Sequence, residues 1–135
     1  MPQPFQSLKV LVVDDEKSIA DSLGLIFSSH GYEVRVAYSA EQALELSLAW
    51  SPGLAILDVI LPKMNGIDLA IVFKGMLPDC HVILFSGQIV TEDLMREAGS
   101  KGHAFDIVAK PVTPVVFLDA ANRLSGDAGK ADSDA

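Results

Sequence analysis

The chain has 135 residues, of which 50% are hydrophobic and 21% charged, the size of one domain able to bury roughly two thirds of its unfolded surface. So high an apolar fraction excludes disorder for most of the chain, and no stretch approaches the ~18 uncharged apolar residues of a membrane span. Ten Lys and Arg against eighteen Asp and Glu leave a net charge of −8, the wrong sign for gripping a phosphate backbone, so direct nucleic-acid binding is not expected.

Met1 to Ser7 lacks the basic start and apolar run of a secretory signal and reads as a short N-terminal extension. The single cysteine, Cys80, allows no intramolecular disulfide and no cysteine-based metal site. A cytoplasmic protein is expected. Lys9 to Val13 is a continuous apolar run, as in a strand buried on both faces of a parallel sheet, and it stops at Asp14-Asp15-Glu16. Ile19, Leu23, Ile26 and Phe27 follow at helical spacing, with Gly31 as the stop. Glu33 to Ala37 alternates and predicts an edge strand with one face partly wet. Ser39 with Gln42 forms a capping box for a helix running to about Trp50, closed by Ser51-Pro52-Gly53. Leu54 to Leu57 is a third strand ending at Asp58. After a turn around Pro62 to Gly66, Ile67 to Met76 reads as a helix. Val82 to Phe85 is a fourth strand ending at Ser86, and Thr91 to about Ala98 a weaker helix. Phe105 to Ala109 is the fifth strand, ending at Lys110-Pro111. Thr113 as cap and Pro114 as first helical residue open a last helix that is expected to end near Leu124.

Five strands alternating with five helices, without internal repeats, argue an α/β three-layer sandwich with right-handed crossovers. One domain is expected over residues 8–124. Residues 125–135 lack apolar periodicity and read as a disordered tail or the start of a linker.

The polar residues fall in a pattern. Asp14, Asp15, Asp58, Ser86 and Lys110 each come immediately after a predicted strand. In an open parallel sheet, ligands bind at the carboxyl ends of the strands, so these residues can converge on one cleft. Carboxylates gathered there repel, by ~4 kcal/mol for a pair 4 Å apart at an effective dielectric near 20. An acidic, all-oxygen cluster suits Mg²⁺. With a hydroxyl and a lysine able to grip phosphate oxygens, the set reads as metal-assisted phosphoryl transfer.

These residues resemble the receiver domain of bacterial two-component response regulators, of the single-domain, chemotaxis-regulator-like kind. The resemblance rests on Val12-Val13-Asp14-Asp15-Glu16, on Leu57 through Gly66 (LDVILPKMNG), on Phe85-Ser86-Gly87 and on Ala109-Lys110-Pro111. It implies a flavodoxin-like (βα)5 fold with a five-stranded parallel sheet of order 2-1-3-4-5. It also implies that Asp58 is the phosphoacceptor, and that Asp15, Asp58 and the backbone carbonyl of Ile60 bind Mg²⁺, with Asp14 holding it through water. Lys110 would pair with the acceptor carboxylate and then with phosphoryl oxygens, and Ser86 would hydrogen-bond the phosphoryl group. The implied donor is a sensor histidine kinase or a histidine phosphotransfer protein. The implied output is a changed docking surface for an effector protein, formed by the fourth helix, fifth strand and fifth helix, a face that could also serve a homodimer. Such a domain catalyses only its own phosphorylation and dephosphorylation.

Three departures from the family pattern stand out. The position three before the lysine, usually aromatic, is Ile107, with Phe105 two residues earlier on the same strand face. About two extra residues lie around Gly99 to His103. The position two after the acceptor is Ile60, a bulky apolar group beside the path of hydrolytic water, from which slow self-dephosphorylation is expected.

Blander readings compete. Asp14 and Asp15 could cap the first helix, Asp58 could be a turn residue, Lys110 a surface lysine, and Ser86-Gly87 an ordinary turn pair. His30, His81 and His103 share no ligand spacing. Cys80 and Trp50 read as packing groups, and Val115 to Leu118 either as a buried first turn or as a partner patch. Two other functions compete with the phosphoacceptor reading: a receiver-like docking module that does not use phosphorylation, and a dehalogenase-like Mg²⁺ phosphatase. The phosphatase wants a second acid two residues after its nucleophile, where this chain has Ile60.

Overall fold

The apolar run Lys9–Val13 is strand β1 of the computed structural model, which describes residues 8–86, 96, 106–109 and 115–133, with side chains described at 8–85, 96 and 115–124. In chain order there follow α1 (Lys17–Ser29), β2 (Glu33–Ala37), α2 (Ala40–Ala49), β3 (Leu54–Asp58), α3 (Gly66–Met76), β4 (His81–Ser86), β5 (Asp106–Ala109) and α4 (Val115–Ser133). All neighbouring strands pair in parallel in the order β2-β1-β3-β4-β5. This is the flavodoxin-like order that the sequence implied.

The two-residue period of the strands sorts their side chains between two cores. Leu11, Val13, Ala55 and Leu57 pack with Ala43 of α2 and Ile67, Leu69, Ala70 and Phe73 of α3. Val10, Val12, Leu54 and Ile56 pack on the other side with Ala20, Leu23 and Phe27 of α1 and Phe117, Ala120 and Ala121 of α4. Strand β3, in the middle, is buried throughout, whereas the edge strand β2 alternates, leaving Glu33 and Arg35 exposed. Gly24 lets α1 lie close on that edge, since a Cβ there would come within 2.8 Å of Val36 Cγ2.

Local signals act as expected at α2, where Gln42 N–H donates to Ser39 Oγ at 3.1 Å. The returning bond shifts by one residue: Gln42 Oε1 accepts the Tyr38 N–H at 2.7 Å. Trp50 is buried as a packing group, its indole N–H donating to Glu33 Oε2 at 2.8 Å, with Lys9 and Arg35 over its ring. Phe117 meets Phe85 edge to face at 5.6 Å between centroids.

One expectation needs correction. The last helix runs to Ser133, nine positions beyond the end expected near Leu124. The segment after Leu124 carries no apolar stripe, but it contains no proline either, and the helical hydrogen-bond ladder continues without a face to bury. The predicted helix Thr91 to Ala98 lies outside the described residues except for Arg96, which is helical and exposed. Phe105, Thr113 and Pro114 also lie outside them. Among the described residues, no helix is long and apolar enough to cross a membrane.

Candidate functional site

The strand register brings the acidic residues together. Val13 pairs with Leu57 across β1 and β3, so Asp14 and Asp58, the residues that follow them, emerge side by side at the carboxyl edge of the sheet. Two hydrogen bonds carry the ladder past the strands: Asp14 N–H donates to the Ala37 carbonyl at 3.1 Å and Val59 N–H to the Phe85 carbonyl at 2.9 Å. The backbone leaving each strand is therefore fixed in direction. Asp14, Asp15 and Asp58 each bring a carboxylate oxygen into a cluster whose members all lie within 4.8 Å of one another.

Burial divides the three. Asp14 is 0% and Asp58 4% exposed, while Asp15 faces solvent. Asp14 Oδ1 accepts the Glu16 N–H at 2.9 Å, and Asp58 Oδ1 accepts the Ile60 N–H at 3.0 Å. Each buried carboxylate thus orders the loop that follows its own strand. The simple capping reading of the acid pair does not describe this arrangement, because the N-cap of α1 is Glu16, which makes no side-chain capping bond.

The β3–α3 loop is shaped around Asp58. Pro62 O accepts the Met64 N–H at 2.8 Å while Lys63 holds φ +71°, a tight and sterically uncommon three-residue turn. Gly66 N–H then donates to Val59 O at 2.7 Å, and a Cβ on Gly66 would sit 2.1 Å from the Asp58 carbonyl oxygen. Only glycine lets α3 start this close to the backbone of Asp58. Asn65 caps that helix, its Oδ1 accepting the Asp68 N–H at 2.8 Å. Ile60 is 47% exposed on the lip of the cluster.

The donor set fits a hard divalent cation. Two buried carboxylates and one exposed one offer only oxygen, the choice of Mg²⁺ over softer metals. With carboxylate oxygens no more than 4.8 Å apart, the buried Asp14–Asp58 pair repels by at least about 3 kcal/mol at an effective dielectric near 20, a repulsion that a cation between them would relieve. Asp14, Asp15, Asp58 and Ile60 are therefore all at one place. Ser86 ends β4 at the same edge and pairs with Ala109 of β5, the residue before Lys110. The Ser86 side chain and all of Lys110 lie outside the described residues.

Elsewhere, Cys80 is buried, and burial pushes its thiol up to about 11 although nearby Lys74 pulls the other way. Val115 and Val116 are exposed while Phe117 is in the core, so the first turn of α4 is only partly buried. The sequence reading did not anticipate the Asn65 cap, the backbone approach at Gly66, or the contact of Lys17, Tyr38 and Asp21 at the rim.

Comparison with known proteins adds an independent line. Residues 10–122 match the family model described as response regulator receiver domain. The response regulator MprA of Mycobacterium tuberculosis is 29% identical over 105 residues, 78% of this chain and 45% of MprA. The DNA-binding response regulator MtrA of Mycolicibacterium smegmatis is 32% identical over 106 residues, again 78% of this chain and 45% of the relative. The chain thus spans about half the length of the curated relatives it matches. A CheY-like response regulator receiver domain protein from Methanospirillum hungatei superposes with TM-score 0.80 and 27% identity, over 93% of this chain and 98% of that one. The receiver domain of NtrX from Brucella abortus gives TM-score 0.73 and 33% identity, over 84% and 95%.

Proposed function

The chain belongs to the receiver domain family of two-component response regulators, and from that premise we propose that Asp58 accepts a phosphoryl group in a Mg²⁺-dependent reaction. The observation that carries this reading is the buried Asp58 carboxylate at the end of β3, held within 4.8 Å of Asp14 and Asp15.

Asp14, Asp15, Asp58 and the carbonyl of Ile60 would hold Mg²⁺, which when bound neutralises charge on the acids and on the incoming phosphoryl oxygens. The rest of the chemistry belongs to the chain. Ile60 N–H engages Oδ1 of Asp58, which leaves the other carboxylate oxygen as the nucleophile. That oxygen forms a bond to phosphorus as the bond from phosphorus to the donor breaks, and the electron pair leaves with the donor's carboxylate oxygen or imidazole nitrogen. Lys110 and Ser86, by their place in the sequence at the same edge, would take up the added charge of about −1.5 to −2. Their movement toward the phosphoryl group would bias a docking surface between two packings.

On this reading the donor is a sensor histidine kinase or a phosphotransfer protein and the output is contact with an effector protein in the cytoplasm. The chain catalyses only its own phosphorylation and dephosphorylation, from a single receiver domain over 8–124. Exposed Val115 and Val116 support a partner or homodimer contact on the face that includes α4.

The test is intact mass after incubation with acetyl phosphate, with and without Mg²⁺, on the wild type and Asp58→Asn. One Mg²⁺-dependent phosphoryl adduct, absent from the variant, is expected. A folded protein that takes up neither phosphate nor Mg²⁺ would instead favour a docking module independent of phosphorylation.

A further inference from the structure

Outside the acidic cluster, the arrangement with the clearest chemical direction is Lys17, Tyr38 and Asp21. Tyr38 directly follows β2, whose last carbonyl, on Ala37, accepts the Asp14 N–H, so its ring starts from the rim of the pocket. The residue is tethered at both ends. Its backbone N–H donates to Gln42 Oε1 at 2.7 Å, and its hydroxyl donates to Asp21 Oδ1 at 2.5 Å. Lys17 opens α1 two positions after Asp15, and its Nζ lies 4.5 Å from the centre of the Tyr38 ring.

Lys17 and Asp21 are four apart on α1, a spacing at which opposite charges commonly pair directly. Here the tyrosine stands between them: the hydroxyl takes the carboxylate and the ring face takes the ammonium. The result is an exposed cation held at a defined place on the first turn of α1, two residues after Asp15. Its surroundings are hostile to anions. The chain carries −8, and Asp15 and Glu16 are both exposed at the same edge. A phosphodonor is itself an anion, and a fixed positive charge on its approach raises its local concentration.

We propose that Lys17, held on the Tyr38 ring, is a specificity-determining residue that draws small dianionic acyl phosphates to the Asp58 pocket. The proposal rests on the phosphoacceptor reading of Asp58. It is tested on the full chain at fixed Mg²⁺ by following adduct formation with two donors, dianionic acetyl phosphate and the less charged phosphoramidate. Lys17→Gln is expected to slow the acetyl phosphate reaction about threefold at ionic strength of about 20 mM, and the difference should vanish near about 500 mM as the field is screened. Phosphoramidate should show a smaller loss. Lys17→Arg should retain the rate, and Tyr38→Leu, which removes the shelf, should lose as much as Lys17→Gln. A loss that is equal at both salt concentrations and for both donors, or no loss at all, overturns the steering role while the wild-type adduct leaves the acceptor reading standing. Absence of any adduct on the wild type removes both.

Discussion

Replacing Gly66 by alanine is the substitution with the sharpest structural expectation. An alanine Cβ would stand 2.1 Å from the Asp58 carbonyl oxygen and 2.8 Å from both the Asp58 carbonyl carbon and Val59 Cα. All three are backbone atoms, so no side chain can rotate away. Reaching an ordinary contact requires α3 and the end of β3 to part by about 1 Å, which also stretches the 2.7 Å bond from Gly66 N–H to Val59 O. Overpacking of this kind costs about 1–3 kcal/mol. The opposing gain in helix propensity is at most ~1 kcal/mol and is smaller at the first helical position. The clash wins, by about 2 kcal/mol.

Two quantities should therefore fall together. Thermal unfolding of Gly66→Ala should shift down by about 8 °C for a domain of this size. The rate of phosphoryl uptake from acetyl phosphate should fall about 100-fold, since a misplacement of about 1 Å at a reacting group has that order of effect. Gly75 provides the control on the same helix. A Cβ there meets nothing within 4 Å, so Gly75→Ala should stabilise by roughly 0.5–1 kcal/mol and leave phosphoryl uptake unchanged. Wild-type stability and uptake in Gly66→Ala would refute the claim that α3 is seated directly on the Asp58 backbone.

Three further outcomes follow from the same geometry. Asp58→Asn keeps an oxygen for the Ile60 N–H but removes a buried like charge beside Asp14, so the metal-free variant should be more stable than wild type by about 1–2 kcal/mol in a thermal melt; an unchanged melting temperature would show that the pair is already neutralised. Burial raises the Cys80 thiol to about 11 from an ordinary 9, so the folded protein should resist thiol reagents at pH 8, and the unfolded state should lose its proton first as pH rises. That contribution, of order 2–3 kcal/mol, is present in full below pH 9 and lost by about pH 11, which denaturant melts across that window would detect. Ile60→Asn places a polar group where an apolar side chain now lies 47% exposed beside Asp58, and phosphate loss followed by intact mass should quicken about tenfold, less than the roughly 100- to 10,000-fold of a true general base because an amide can orient water but not take its proton; an unchanged half-life would clear Ile60 of shielding the acyl phosphate.

Much of the fold is legible because each strand ends where its apolar run meets a polar residue. Val13 to Asp14, Leu57 to Asp58 and Phe85 to Ser86 mark the carboxyl edge without any knowledge of the register. Convergence of residues more than forty positions apart then follows from parallel pairing alone. What stays hidden is long-range approach and unusual backbone. Nothing local says that Gly66 must clear the carbonyl of Asp58, because that demand comes from how α3 packs. Lysine at position 63 gives no hint of φ +71°, which residues other than glycine, asparagine and aspartate seldom adopt. Likewise Lys17 and Asp21 announce an ordinary helix pair, and only the seating of α1 against β2 brings Tyr38 between them.

The acidic cluster and the sheet also explain each other. Asp14 and Asp58 follow a paired Val13 and Leu57, and the bonds to Ala37 O and Phe85 O continue that pairing past the strands. The backbone therefore cannot relax the repulsion between the two carboxylates without opening the sheet, and the side chains are held by the Glu16 and Ile60 amides. Like charge is thus held close at the carboxyl edge of the sheet, where a bound cation would offset it. Both acids follow strands whose continuous apolar runs are buried, and that burial offsets the cost of holding the carboxylates close. A site set on edge strand β2, which alternates between wet and dry positions, would have no such reserve, and that asymmetry accounts for finding the acids on the central strands.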